Sequence, residues 1–295
     1  MFSLHFLMIL ACVSVVVGTP TSIASRASPF RYLITFGDSY SQTGFSITGT
    51  KPSTSNPIGN PPFPGYTTSG GNNWITYLLQ PSTSTTMLNY NLASGGATTD
   101  ATLVRPFQST VLSLVDQVSL FTKNLSPLPS PLSPSNTLCA IWIGVNDVGN
   151  AWSDPKWPTL SQTVINRYME QVEKLYKGGA RNFLFLSVPP IQKTPSVMLQ
   201  SSSTQMKEGE AVVRYNGLLG RGVEAFKGNH SEVTTWVLDT TVAFETAIKD
   251  PKSFGAKDAK CYNKDGIKCL WFNDYHPGQA IHKLVAQGVV TLVGL

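Results

Sequence analysis

The sequence predicts an α/β protein in which a parallel sheet of about five strands lies between two layers of helices, a three-layer α/β/α fold. Short apolar runs bounded by Gly, Pro, Ser or Asn recur along the chain, and longer stretches with helical periodicity separate them. This alternation favours a parallel sheet that is covered on both faces. The runs predicted as strands are residues 32–36, 87–92, 138–143, 182–188 and 233–238.

Three helices are predicted from apolar residues that recur at a spacing of three or four. One is expected to stop at Gly178-Gly179 and another before Gly228, because glycine commonly ends helices. A third is expected from Gly278 onward, with Pro277 in its first turn.

The first residues have the pattern of a secretory signal peptide. Residues 6–17 are a nearly unbroken apolar run of about a dozen residues, which ends at Gly18, where cleavage is expected. The run is too short to span a membrane comfortably. We therefore expect a secreted, extracellular protein with a signal peptide over residues 1–18, an N-terminal extension over 19–30 and a single domain over 31–295. No later segment looks like a membrane span, so stable membrane insertion is not expected.

Charge and cysteine usage exclude some classes of protein. The 22 Lys and Arg residues are scattered, so the net charge of +5 does not predict a nucleic-acid binder. Cys12 falls in the signal, and Cys261 and Cys269 bracket a turn and are the natural disulfide pair. Cys139 lies in an apolar run and is expected to be buried. These cysteines share no metal-type spacing with the few histidines, so no metal site is expected.

A serine stands where the first predicted strand should end on a tight glycine turn, Gly37-Asp38-Ser39. A serine hydroxyl becomes a useful nucleophile only when a base takes its proton and donors receive the oxyanion. Gly96 and Asn146 follow the second and third strands by a few residues. Because ligands collect at the carboxyl ends of parallel strands, Ser39, Gly96 and Asn146 should share one rim. Asp38 is expected to hold the turn through side-chain hydrogen bonds.

His276 is the candidate base among the three histidines that follow the signal. His230 lies within a glycosylation sequon, and His282 lies along the last predicted helix, where a partly buried structural histidine is expected. His276 instead precedes that helix and can lean over Ser39.

Four segments in this order resemble the SGNH (GDSL-type) hydrolase family: Gly37-Asp38-Ser39, residues 91–98, residues 144–147 and residues 273–278. The resemblance extends over residues 32–295 and looks most like the fungal carbohydrate esterase family 16 acetylesterases. It implies a flavodoxin-like fold, an acyl-serine intermediate and no cofactor. It also implies an oxyanion hole made by the backbone N–H groups of Ser39 and Gly96, rather than Gly95, and the side-chain amide of Asn146.

The sequence departs from the family pattern at the residue that should orient the histidine. The family usually carries Asp three residues before the histidine, but Asn273 stands there, and the nearest carboxylate is Asp274. This residue matters because it selects the imidazole tautomer and stabilises its positive charge. Three arrangements are open: Asp274 through an altered turn, Asn273 through its amide oxygen, or a backbone carbonyl. We favour Asp274.

Surface features give the remaining expectations. Residues 49–71 and 126–135 are predicted loops, and the first should form one wall of a substrate cleft. Asn124 and Asn229 are glycosylation acceptors if the chain is secreted. Trp142 is expected in the core, whereas Trp152 and Trp157 could stack on a sugar ring or simply pack in their loop.

The sequence therefore predicts a secreted serine esterase that removes acetyl groups from an acetylated oligosaccharide or another small ester. A lipase or lysophospholipase is the alternative among enzymes. A noncatalytic sugar-binding descendant is the alternative outside enzymes, with the missing Asp at position 273 as its only support. The oligomeric state is left open.

Overall fold

Five strands form one parallel sheet in a computed structural model that describes residues 30–80 and 87–295. Their order in the sheet is β2-β1-β3-β4-β5, which is the flavodoxin-like order. Each strand lies within two residues of a predicted run, so the predicted α/β class and strand number are confirmed. The strands are β1 Tyr32–Gly37, β2 Leu88–Asn91, β3 Thr137–Trp142, β4 Asn182–Leu186 and β5 Thr234–Leu238.

Helices cover both faces of this sheet. Every residue of β1 and β3 is buried, as two-sided cover requires. Helix α4 packs against both α2 and α6, and α8 packs against both α1 and α7. The helices are α1 Trp74–Leu78, α2 Leu114–Leu125, α3 Val145–Ala151, α4 Trp157–Lys177, α5 Pro195–Met198, α6 Ser202–Asn229, α7 Thr241–Lys249 and α8 Gln279–Val293, and short 3₁₀ segments lie at Ile191–Lys193 and Pro251–Phe254.

Two helix ends differ from the predictions. Helix α4 ends at Gly178 as predicted, but α6 continues through Gly228 to Asn229. A glycine weakens a helix but does not end it by itself. The packing of the long helix α6 is sufficient for the helix to continue past Gly228. Helix α8 has Gly278 as its N-cap, so Pro277 precedes the helix and is not in its first turn.

Some expectations fall on residues that the structure does not describe. The predicted signal peptide over residues 1–18, Cys12 and the extension as far as residue 29 lie outside the described residues, as do residues 81–86. Residues 49–71 and 126–135 contain neither helix nor strand, as predicted. Among the described helices, none is both long enough and apolar enough to cross a membrane.

The predictions for the three cysteines that the structure describes are confirmed. Cys261 and Cys269 form a disulfide, and Cys139 is a buried free thiol. The disulfide closes the loop directly before Trp271, whose backbone bridges both Tyr262 and Pro277. The segment that carries His276 is therefore held by covalent and backbone contacts although it contains no long strand.

Candidate active site

Strand β1 ends at Gly37 in a conformation that favours glycine. Its φ is +153°, and a Cβ atom there would lie 2.3 Å from the carbonyl oxygen of Trp142 on β3. The side chain of Gln117 on α2 holds both polar groups of this residue: its Oε1 accepts from the Gly37 N–H at 2.9 Å, and its Nε2 donates to the Gly37 carbonyl at 2.8 Å. The start of the next turn is thereby fixed between sheet and helix.

Ser39 follows in a tight turn that Asp38 organises, as predicted. The Asp38 Oδ1 accepts from the Tyr40 N–H at 2.9 Å, and the Asp38 carbonyl accepts from the N–H groups of Ser41 and Gln42. Thr68, in the predicted loop 49–71, donates through Oγ1 to the Ser39 carbonyl at 2.6 Å. The loop thus contacts the serine turn, and its role as a cleft wall stays a prediction.

The two candidate catalytic side chains lie within hydrogen-bond distance. Ser39 Oγ is 2.8 Å from His276 Nε2, although the residues are 237 positions apart in sequence. On the other side of the ring, His276 Nδ1 is 3.0 Å from Asn273 Oδ1. The fold therefore assembles a serine, an imidazole and an amide in one line.

The backbone determines which way the Asn273 amide faces, and hence the tautomer of His276. The Asn273 Oδ1 also accepts from the backbone N–H groups of Tyr275 at 2.9 Å and His276 at 2.7 Å. Those N–H groups can only donate, so the atom facing them must be the amide oxygen. An oxygen beside Nδ1 requires Nδ1 to carry the ring proton in the neutral imidazole. Nε2 is then left free to accept the proton of Ser39.

The expectation that Asp274 orients His276 is wrong. Asp274 is exposed, and none of the described residues bonds to its carboxylate; its backbone carbonyl accepts from the Ser196 N–H at 2.9 Å. The turn is closed by the side chain of Asn273, which leaves the next side chain facing solvent. Of the three arrangements that the sequence left open, the geometry selects Asn273.

Burial makes His276 a base that stays neutral in mild acid. Removal from solvent lowers the pKa of His276 to about 4, while the charge of Asp274 acts in the opposite direction. The neutral form that can accept a proton therefore predominates at neutral pH.

Tyr40 connects the serine turn to the histidine turn. Its hydroxyl donates to the Tyr275 carbonyl at 2.7 Å, and its buried ring lies 5.6 Å from the His276 ring, centroid to centroid. Tyr40 is not among the residues predicted for the site. Its position directly after the serine was the only available signal, and the partner lies 235 residues away.

The segment that carries Gly96 is tied to the serine turn. The side-chain amide of Asn91, the last residue of β2, donates to the Ser41 carbonyl at 2.8 Å, and the Ser94 N–H donates to the Gly37 carbonyl at 3.1 Å. Gly96 has a φ of +79°, and a Cβ atom there would lie 2.2 Å from the Phe107 ring. Gly96 thus lies in a loop bonded to the Ser39 turn, at a position that requires glycine.

Asn146, near the start of α3, is tied to the same loop. Its amide nitrogen donates one hydrogen to the Ala97 carbonyl at 2.9 Å, which leaves the second hydrogen free for a ligand. The buried carboxylate of Asp147 accepts from the Thr99 N–H at 3.0 Å and from its hydroxyl at 3.1 Å. Strand β1 lies between β2 and β3. Ser39, Gly96 and Asn146 therefore follow the carboxyl ends of three neighbouring strands. This positioning contact of Asp147 was not predicted from the sequence.

The other singled-out residues behave as structural groups, with one exception. Trp142 is fully buried, as predicted, and Trp157 is also part of the core, so of its two open roles the structure supports packing and not stacking on a sugar. His230 bonds to Glu173, and His282 is buried beside Trp142. The exception is Trp152, which is half-buried and lines a cavity together with Asn146.

The part of the chain that the structure describes also offers no cluster of side chains that could bind a metal ion. Residues 30–80 and 87–295 contain no cluster of three or more His, Cys, Asp or Glu side chains that could hold an ion.

Comparisons with known proteins agree on the family. The family described as GDSL-like Lipase/Acylhydrolase matches residues 33–289. An acetylesterase from Thermothelomyces thermophilus is 52% identical over 91% of this chain and 92% of its own length. An acetylesterase from Hypocrea jecorina is 31% identical over 56% of this chain and 50% of its own length. A mutant of Axe2, an acetyl-xylooligosaccharide esterase from Geobacillus, is 14% identical and has a TM-score of 0.51 over 90% of this chain and 94% of that chain, which supports the fold alone. The chain belongs to the GDSL-like lipase/acylhydrolase family and is a carboxylic ester hydrolase.

Proposed function

We propose that the protein is a secreted serine esterase that removes acetyl groups from carbohydrate esters through an acyl-Ser39 intermediate. The observation that carries this proposal is the 2.8 Å approach of Ser39 Oγ to His276 Nε2, with the ring proton held at Nδ1 by Asn273. The names of the two acetylesterase relatives support the acetyl group as the acyl part.

In the first half-reaction, His276 Nε2 accepts the Ser39 proton while Oγ attacks the ester carbonyl carbon. The charge that develops on the carbonyl oxygen is received by the N–H groups of Ser39 and Gly96 and by the free amide hydrogen of Asn146. Each such donor stabilises the transition state by about 3 kcal/mol. The imidazolium then gives its proton to the departing alkoxide, which leaves as the alcohol.

In the second half-reaction, water takes the place of the alcohol. His276 accepts a proton from the water, whose oxygen attacks the acyl-serine carbonyl, and the returned proton restores the Ser39 hydroxyl as acetic acid leaves and ionises to acetate in solution. Asn273 accepts a hydrogen bond from the ring in both halves but supplies no negative charge. A neutral partner is compatible with catalysis here because two backbone N–H groups hold the amide in the productive orientation.

Secretion is supported by independent features of the chain. Residues 1–18 have the pattern of a signal peptide, and the Cys261–Cys269 disulfide suits an oxidising compartment. The sequon residues Asn124 and Asn229 are both exposed. A carbohydrate substrate is favoured over a lipid because the loop at residues 49–71 is polar and proline-rich, whereas a lipase lid would be apolar.

The test is covalent labelling and ester hydrolysis with a matched serine control. The unchanged protein and the Ser253→Ala variant, which alters an exposed serine, should both react with a fluorophosphonate and hydrolyse 4-nitrophenyl acetate faster than the octanoate ester. Ser39→Ala should form no adduct and lose about 10³-fold or more in kcat/KM. A folded protein that forms no adduct on Ser39 would favour a noncatalytic binding role, and a strong preference for the octanoate would favour a lipase.

A further inference from the structure

A cavity of about 320 Å³ adjoins the candidate catalytic residues. Asn146 and Tyr275, the residue before His276, form the side nearest to them, and α6 supplies Glu208 and Thr204 from the other side. The volume is at the lower end of the range for small-molecule sites. The cavity is therefore placed to receive a part of the substrate that lies next to the scissile bond.

Glu208 is unusual among the residues of this cavity. It lies on the buried face of α6 and is only 3% exposed, but none of the described residues forms a hydrogen bond or ion pair with its carboxyl group. Burial raises the pKa of Glu208 to about 7, so at neutral pH the group can either donate or accept a hydrogen bond. Its charge also contributes, after burial, to the raised pKa of Tyr275.

Most of the Glu208 side chain is removed from solvent, and its carboxyl oxygens are not among the fully enclosed polar atoms, so they are open to the cavity that the residue lines. Placing a carboxyl group there without a hydrogen-bond partner in the protein is less favourable than placing an apolar residue. Glu208 precedes Val212 by four residues and Tyr215 by seven, so it continues the helical spacing of the apolar face. A carboxylate at an otherwise apolar position of a helix is a signal that is present in the sequence itself. A hydrogen-bonding ligand in the cavity would supply the missing partner.

The chemistry of the lining indicates the class of ligand. Besides Glu208, the cavity presents the amides of Asn146 and Asn150, the Tyr275 hydroxyl and the half-buried Trp152 ring. An acyl chain would call for an apolar lining, and an anion would be repelled by the carboxyl group. Polar groups combined with one aromatic ring suit an uncharged ring that carries several hydroxyl groups.

We propose that Glu208 binds a hydroxyl group of the sugar ring that carries the scissile acetyl ester, with Trp152 packed against the face of that ring. Glu208 is then a specificity residue that selects sugar alcohols over other leaving groups. This inference rests on the proposed esterase function and adds the residue that recognises the alcohol part. The aryl ester 4-nitrophenyl acetate has no such hydroxyl group and cannot use the contact.

The test compares an acetylated sugar with the aryl acetate in variants of one helix. Glu208→Leu should lower kcat/KM on monoacetylated methyl xyloside by about 10-fold or more, the equivalent of one lost hydrogen bond of about 1.4 kcal/mol, and leave 4-nitrophenyl acetate within about twofold. Glu208→Gln keeps a donor and an acceptor, so its loss on the sugar ester should stay within about threefold. Glu224→Gln, an exposed change on the same helix, should alter neither rate.

A second readout does not depend on catalysis. Calorimetric titration of xylotriose into Ser39→Ala should show binding, and the added Glu208→Leu change should weaken that binding by about 10-fold. Equal losses on both esters would overturn the proposal and give Glu208 a structural role. Unchanged rates on both, or a shift only between 4-nitrophenyl acetate and butyrate, would also overturn it, the latter by assigning the cavity to the acyl chain. If the unchanged protein fails to hydrolyse the aryl acetate, the esterase function itself fails, which is a different result.

Discussion

The turns that carry Ser39 and His276 are closed by the same kind of side-chain-to-backbone hydrogen bond. They differ in the further contacts of the side chain that closes the turn. In each, an Asp or Asn side-chain oxygen accepts a backbone N–H two residues later: Asp38 from Tyr40 at 2.9 Å and Asn273 from Tyr275 at 2.9 Å. In the serine turn the second carboxyl oxygen is buried without a partner among the described residues. In the histidine turn the single amide oxygen also accepts from the catalytic ring.

The difference indicates that backbone hydrogen bonds can take over one function of a charged triad residue, namely the selection of the histidine tautomer. In chymotrypsin-type triads, replacing the Asp by Asn lowers kcat by about 10⁴-fold, because the amide stabilises the wrong histidine tautomer. Here two backbone N–H groups hold the Asn273 oxygen toward the ring, so the correct tautomer is kept without a carboxylate. What the amide cannot supply is the negative charge that would stabilise the imidazolium.

The largest effect is expected when the amide oxygen of the histidine turn is removed. Asn273→Ala takes away the acceptor for Nδ1 and two backbone hydrogen bonds, and should lower kcat by about 10²- to 10³-fold on 4-nitrophenyl acetate. Asp274→Ala is the matched control, because that carboxylate is exposed and does not contact the ring; it should stay within about threefold. A larger loss in Asp274→Ala than in Asn273→Ala would return the orienting role to Asp274.

A smaller, pH-dependent effect is expected when the missing charge is restored. Asn273→Asp places a carboxylate beside Nδ1 and should raise the pKa of His276 from about 4 by about 1 to 3 units. The acid limb of the kcat/KM profile should move upward by the same amount, so the variant loses activity near pH 5 that the unchanged protein retains. Asn263→Asp makes the same charge change in the same loop away from the ring and should leave the profile in place. An unmoved limb in Asn273→Asp would exclude His276 as the group that controls it.

The smallest effect on activity is expected at the serine turn. Asp38→Asn keeps the side-chain oxygen for Tyr40 and should change kcat/KM by no more than about threefold. The stability effect depends on pH, because burial, and to a lesser extent the nearby Asp147, raise the pKa of Asp38 from 3.8 to about 7. Between these values the unfolded chain has lost the proton that the folded chain keeps, so the stability of the unchanged protein falls as pH rises through this window.

The Asn side chain does not titrate, so the Asp38→Asn variant does not lose the stability that the unchanged protein loses through Asp38 as pH rises. Its free energy of unfolding relative to the unchanged protein should therefore be higher at pH 8 than at pH 5, by about 1 to 3 kcal/mol. Chemical denaturation at the two pH values measures this difference, and Asp147 titrates in both proteins and largely cancels. A variant that is relatively less stable at pH 8 would contradict the raised pKa.

Much of the fold was predictable because strands that are buried on both faces leave a plain signal. The segments that became β1 and β3 are mostly apolar and are buried at every position, and Gly178 ends α4 where predicted. The end of α6 was mispredicted because local glycine propensity competes with the packing of a long helix, and packing was stronger. Such competition is invisible in a window of a few residues.

The site was predictable to the extent that its residues follow strand ends. Ser39, Gly96 and Asn146 come after neighbouring parallel strands, so their shared edge followed from topology alone. Tyr40 and Gln117 could not be found this way, because each acts on a segment at least 80 residues away through a hydrogen bond that no local pattern encodes.

The sequence by itself determined the α/β class, the strand order along the chain, the disulfide and the candidate nucleophile and base. Each of these depends on hydrophobic periodicity or on residue type, and both are properties of short segments. Only the tertiary structure decided that Asn273 rather than Asp274 faces His276, and that Glu208 faces the cavity. Which of two adjacent polar side chains meets the ring depends on the path of one turn, and that path is set by hydrogen bonds and a disulfide that form only in the folded chain.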